Sequence, residues 1–182
     1  MIKFRKNIWE FANPNNFLSI ANKIIPFFLI LTIITLSLGL VWGLFFTPED
    51  YRQGSSVKII FIHVPTAFLA INIYFMMLLA SIIWLIRRHH VSLIAAKSAA
   101  LIGLIMTLSA VLTGAIWGKP IWGTYWAWDP RLTSFAILLM FYLGYLSIWQ
   151  TMKFSDKIGD LSSWLCIVAV SYTHLTLPTT PY

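Results

Sequence analysis

Four apolar runs, 24–46, 59–86, 93–117 and 132–150, occupy about half of the 182-residue chain, with only short connections between them. A hydrocarbon core of roughly 30 Å is crossed by about 20 helical residues, and each run meets or approaches that length. In lipid an open strand cannot satisfy its own N–H and C=O groups, so such runs fold as helices. The first run carries no charge. It is also too long, and too far from the N-terminus, for a cleaved signal peptide. The second is broken only by His63 and Pro65, and the third holds Lys97 in its first turns, where a lysine can snorkel to the surface.

Composition supports a bilayer protein and excludes a soluble one. The chain is 59% hydrophobic and 10% charged, more apolar surface than a soluble domain of this length can hide. The net charge of +7 would suggest nucleic acid in a soluble protein. Here the basic residues sit between apolar runs, where lipid orientation is the simpler account. Lys3, Arg5, Lys6, Lys23, Arg87, Arg88, Lys97, Lys153 and Lys157 fall on one side; Arg52, Lys58, Lys119 and Arg131 fall on the other. The positive-inside rule then places the N-terminus in the cytoplasm and residues 117–131 outside. Cys166 stands alone in an apolar run, so no disulfide framework forms within the chain.

A fifth apolar run begins at Leu161 and gives way after Val170 to a stretch rich in threonine and proline. The expected fold is an all-α integral membrane protein, a bundle with four complete transmembrane helices and a fifth interrupted one. It divides into a cytoplasmic segment 1–23, a transmembrane domain 24–170 and an atypical tail 171–182, expected to be poorly ordered or foreign to a truncated protein.

The segment from Trp117 to Asp129 gathers four of the nine tryptophans and a tyrosine at one membrane edge. Flat aromatic faces in such a place suit a flat amphiphile. Trp and Tyr also collect at bilayer interfaces on their own account, and for Trp117 that reading is at least as good. Trp122, Trp126 and Trp128 stand closer to a stacking platform, each contact adding roughly 0.5–1.5 kcal/mol beyond burial. Gly118 and Gly123 would allow close backbone approach. Asp129-Pro130 reads as an N-cap followed by proline at the first helical position, a role that is compatible with a place in the site. Gly39-x-x-x-Gly43 and Gly114-x-x-x-Gly118 have the spacing that lets membrane helices approach. His89 and His90 belong most simply to a polar loop.

Phe61-Ile-His-Val-Pro65 together with Trp117-Gly-Lys-Pro-Ile-Trp-Gly-Thr-Tyr-Trp-Ala-Trp-Asp-Pro-Arg-Leu-Thr133 closely resembles cytochrome c maturation protein C, the haem exporter protein C family. Val41-Trp-Gly-Leu-Phe-Phe46 and Pro48-Glu-Asp-Tyr-Arg-Gln-Gly54 are similar to its first span and first outer loop, and the resemblance covers roughly residues 17–170. It implies six helices in a full family member and haem b bound transiently as cargo at the outer face of the bacterial inner membrane. It also implies handover to a periplasmic haem chaperone beside an ABC-transporter complex. Two external histidines bracket the tryptophan-rich loop in that family. His63 matches the first, which makes it the expected iron ligand; the second is expected beyond the matching region. His174 does not stand in the corresponding context.

Haem iron takes an imidazole, and an ionisable group inside an apolar run is a functional hypothesis by default. With Pro65 at the first helical position, His63 would sit at the helix mouth facing the outer cavity. The alternative is an interfacial histidine bonded to a nearby carbonyl. Arg131, directly after the motif, is the best match for a haem propionate, although it and the other three cations on that side can equally be solvated. The expected site is therefore His63, Trp122, Tyr125, Trp126, Trp128, Asp129 and Arg131. No phosphate-cradling loop and no Ser–His–Asp or paired-carboxylate arrangement is present, so the expectation is a non-enzymatic binding and handover protein with no nucleic-acid partner. A transporter moving haem or another amphiphile through its own bundle is the competing reading, and attachment of haem to apocytochrome thiols the third.

Overall fold

The computed structural model describes residues 13–151 and 155–176. They form five helices: α1 Pro14–Val41, α2 Ile60–Arg87, α3 His90–Trp122, α4 Pro130–Thr151 and α5 Asp156–Thr176. Among the described residues, four helical stretches are long and apolar enough to cross a membrane: Asn15–Phe46, Ser55–Arg87, His90–Trp122 and Pro130–Thr151. The all-α membrane architecture therefore holds. Contacts divide the chain into two units, Met1–Thr47 and Pro48–Tyr182.

The first unit is α1 with its continuation. The Asn13 side chain accepts from the Asn15 N–H at 3.0 Å, and Pro14 takes a position where its missing N–H costs nothing. This cap starts the helix ten residues before the apolar run. At its other end the helix widens into a π turn over Trp42–Phe46.

In the second unit α2, α3, α4 and α5 pack in a ring, each against the next and α5 back against α2. Only Arg88 and His89 separate α2 from α3, which forces the two to run antiparallel. Arg88 adopts the left-handed conformation at φ 51° and its N–H bonds the Trp84 carbonyl. His89 then caps α3, its Nδ1 accepting from the Ser92 N–H at 3.3 Å.

Side-chain size governs this packing. The buried face of α3 is Leu93, Ala96, Ala100, Gly103, Thr107, Ala110, Gly114 and Gly118, small residues every three or four positions. Lipid tails are as apolar as leucine, so close backbone approach is what drives such helices together. Neighbouring helices fill the space with bulk: Tyr74, Met77 and Trp84 from α2, Leu138, Tyr142, Tyr145 and Trp149 from α4. Tyr142 lies directly on Gly103 and donates to the Ala70 carbonyl at 3.0 Å. Tyr74 meets its ring edge to face at 5.4 Å and donates to the Cys166 carbonyl at 3.1 Å. Both tyrosines thus satisfy their hydroxyls across the bundle. Cys166 is buried beside them, as expected for a packing residue.

Three boundaries differ from the sequence expectation. Pro65 lies inside α2, not at its first position, because a 3-10 turn over Ser55–Ile59 runs straight into the helix. Proline removes one backbone bond there, while Thr66 Oγ1 donates to the Ile62 and His63 carbonyls at 2.9 Å each. The third helix continues from Trp117 to Trp122 through Pro120, ending where Gly123 takes φ 73° and bonds the Lys119 carbonyl. The fifth helix runs past Val170 to Thr176, a stretch with neither proline nor glycine. The expected disorder of the tail falls, for residues 177–182, outside the described residues.

A Cβ at Gly103 would come within 2.3 Å of the Tyr142 ring, whereas one at Gly144 meets only Leu165 Cδ2 at 3.7 Å. Gly103→Ala is therefore expected to destabilise the bundle by about 1–3 kcal/mol, and Gly144→Ala to leave it unchanged or slightly firmer. Thermal unfolding of the two variants in detergent distinguishes these outcomes.

Candidate functional site

At the end of the bundle where α2 begins and α3 ends lies a cavity of about 420 Å³. Its walls come from α2 (His63), α3 (Val111, Trp117, Ile121, Trp122) and α4 (Arg131, Leu132, Phe135), with Ala110, Gly114 and Gly118 among the small residues behind them. This is the size range of small-molecule sites, about 300–1,000 Å³, and like them it is apolar with few polar groups. The two polar ones are His63 and Arg131.

His63 is half-buried, held by one face of α3. Its Nδ1 lies 3.1 Å from Thr113 Oγ1. Its Cε1 edge rests on Gly114, where a Cβ would come within 2.9 Å of the ring. Trp117, one turn further on, meets it edge to face at 5.6 Å. Any side chain at Gly114 would push the imidazole away, so glycine is required here by close approach.

Trp117 is itself anchored. Its indole N–H donates to Gln53 Oε1 at 2.7 Å. Gln53 is presented by a tight loop in which Asp50 Oδ1 accepts from the Arg52 and Gln53 N–H groups at 2.8 and 2.9 Å. Asp50 and Gly54 close that loop through paired backbone bonds, with Gly54 at φ 57°.

The tryptophan-rich segment divides in two. Trp117 and Trp122 ride on helix α3 and line the cavity. The Trp122 indole folds over Gly118, one turn back on its own helix. Tyr125, Trp126 and Trp128 stand in the following loop and do not line the cavity. Trp126 and Trp128 pair edge to face at 5.8 Å, yet Trp128 is 83% exposed. Tyr125, 59% exposed, stacks under Lys119 Nζ at 5.0 Å. That ammonium also donates to the Gly123 carbonyl, closing the helix end.

Asp129 caps α4: its Oδ1 accepts from the Arg131 N–H at 2.9 Å. The same carboxylate grips the Arg131 guanidinium, Nε to Oδ1 at 3.0 Å and Nη2 to Oδ2 at 3.2 Å. Capping and site organisation therefore coexist, since Asp129 orients the arginine that lines the cavity. The hydrogen-bonded Arg131 side chain is also the main cause holding the Asp129 carboxyl below the usual carboxylate range.

Of the seven expected site residues, His63, Trp122 and Arg131 converge on the cavity, Asp129 holds Arg131, and the other three stand in the following loop, Tyr125 and Trp128 exposed and Trp126 partly buried. Thr113, Gly114, Trp117 and Gln53 were missed. The Gly114–Gly118 spacing was legible, although it serves an imidazole and an indole instead of a plain helix crossing. Gly123 caps the helix and faces open space, while Gly118 lines the cavity with the Trp122 indole folded against it. Among the described residues no group of three metal-ligating side chains occurs, leaving His63 as a single imidazole at the cavity.

Fold and site together define a multi-pass helical membrane protein with an aromatic-walled cavity and one histidine at one end of its bundle. The sequence pattern of the family described as Heme exporter protein C matches residues 7–175. The chain is 54% identical over 170 residues to Heme exporter protein C of Rhodobacter capsulatus, covering 93% of this chain and 70% of that protein. The protein of that name from Paracoccus denitrificans is 55% identical over the same shares, and that of Escherichia coli K12 is 36% identical over 91% and 67%. The chain belongs to the heme exporter protein C family.

A carboxylate with a lowered pKa stabilises the fold above its unfolded value, and the contribution is lost as pH falls towards the folded one. Stability in detergent is therefore expected to decline below pH ~4 partly through Asp129. Asp129→Asn, which still caps but cannot pair with Arg131 as a charge, is expected to flatten that acid limb when unfolding midpoints are followed against pH.

Proposed function

We propose that this chain binds haem in the cavity between α2, α3 and α4 and passes it on, without chemistry of its own, during assembly of c-type cytochromes. The observation that carries the reading is the convergence of one imidazole, two indoles and one carboxylate-paired arginine on a single apolar cavity. Haem needs each of these: an axial ligand for iron, flat faces for the macrocycle and a cation for a propionate. His63 is the axial ligand, Trp117 and Trp122 the wall, and Arg131, oriented by Asp129, the propionate partner. Tyr125, Trp126 and Trp128 are the rim over which the cargo enters or leaves.

The cavity end faces outward from the cytoplasmic membrane, as the distribution of lysine and arginine supports. Haem b, unattached to protein, is the cargo. A periplasmic haem chaperone receives it, and ABC-transporter subunits of the same export system are the membrane partners. A path through the bundle is less well supported, because Tyr74, Tyr142, Met77 and Trp84 fill its interior below the cavity.

Purified after growth with abundant iron, His63→Gly is expected to lose most of its Soret absorbance and to regain it when imidazole is added. Trp122→Ala is expected to weaken haem binding several-fold, about 0.5–1.5 kcal/mol, while Trp128→Ala changes equilibrium affinity little. Full haem content in His63→Gly, insensitive to imidazole, would sink the reading.

A further inference from the structure

We propose that Thr113 is a positioning residue that holds His63 as the Nδ1–H tautomer, leaving the lone pair on Nε2. The inference deepens the haem reading of the cavity and rests on it for its purpose, though not for its geometry.

The argument turns on one hydroxyl proton. Thr113 Oγ1 donates to the Ser109 carbonyl one turn earlier at 2.7 Å. That proton being committed, the oxygen meets His63 Nδ1 at 3.1 Å as an acceptor. A neutral imidazole carries one N–H and one lone pair, so an acceptor at Nδ1 puts the proton there and the lone pair on Nε2. The Ala110 carbonyl, 3.3 Å from the same hydroxyl, is a second backbone acceptor for the Thr113 proton. Ring orientation follows from the same contacts. A half-turn about the Cβ–Cγ bond would exchange Nδ1 for a carbon at Thr113 and lose the bond. Gly114 and Trp117 confine the ring on two further sides.

A histidine that ligates a metal is ordinarily fixed through its other nitrogen, and loss of that partner costs about 10–100-fold in affinity. Thr113 supplies this second contact from within an apolar helix, where a threonine bonded to its own backbone remains an acceptor for one more donor. The histidine is thus set before any ligand arrives.

The apo protein in detergent, labelled with ring-15N histidine, reports tautomers through long-range 1H–15N correlations, with His63→Gln identifying the signal. The wild type is expected to show protonated Nδ1 and bare Nε2. Thr113→Val is expected to give a tautomer mixture, and Thr113→Ser to restore the single form. In haem titrations Thr113→Val should bind about 10–100-fold more weakly, with Thr113→Ser near wild type. A proton on Nε2 in the wild type, or unchanged tautomers in Thr113→Val, overturns the proposal. If the tautomer shifts as expected while His63→Gln binds haem like wild type, the haem reading falls and the role of Thr113 in setting the imidazole stands.

Discussion

Close approach of helices to α3 is the constraint on which the second unit depends. Inside a bilayer the transfer of apolar surface from water no longer drives one helix onto another, because lipid is as good a partner as leucine. What remains is contact area and hydrogen bonding, and both need backbones near each other. Alanine and glycine at every third or fourth position of α3 provide that nearness, so rings from α4 and α2 reach the helix surface. Tyr142 on Gly103 shows the consequence: an aromatic ring seated against the backbone brings its hydroxyl far enough across to bond a carbonyl of α2.

The same stripe, continued towards the end of α3, makes the site. Gly114 is to His63 what Gly103 is to Tyr142, a bare stretch of helix on which a ring can lie. The difference is chemical. At Gly114 the seated ring is an imidazole whose one nitrogen meets a threonine and whose neighbour is an indole held by Gln53. Packing has thereby fixed a polar group in an apolar place, the pre-organisation a ligand site requires. Membership of the heme exporter protein C family and this geometry point the same way. The geometry adds which residues hold the imidazole: Thr113, Gly114 and Trp117.

Much of this was legible in the chain and some was not, for physical reasons. Long apolar runs announce membrane helices regardless of detail, and all four spans were readable. Their ends were less so. Pro65 and Pro120 look like boundaries by the ordinary rules, yet in a bilayer the demand that backbone groups bond internally carries the helix through both. His63 was legible as an ionisable group inside an apolar run, and Trp122 and Arg131 because they stand in or directly after one tryptophan-rich segment whose pattern resembles the family. Thr113 and Gln53 carried no comparable signal: one is a small polar residue inside a span, the other lies in a loop whose fold depends on Asp50. For Trp117 the belt reading is at least as good as ligand contact from sequence, since nothing in composition separates a tryptophan facing lipid from one facing a cavity. That distinction rests on helical phase relative to neighbours, which uniformly apolar helices do not reveal.

Aromatic bulk is donated unevenly along the second unit. Tyr142 of α4 sits on Gly103 of α3, and Trp84 of α2 sits on Gly159 of α5, so each ring closes the gap between two helices. At the opposite end from the cavity Trp84 also donates to Asp160 at 3.1 Å, and Arg88 pairs with the same carboxylate. Trp122 departs from this pattern because its glycine, Gly118, belongs to its own helix. Its indole folds along α3 and lines the cavity between α2, α3 and α4. Pairs shared between helices make core at Gly103 and Gly159, whereas the Gly118–Trp122 pair, within one helix, makes cavity wall beside His63 on Gly114.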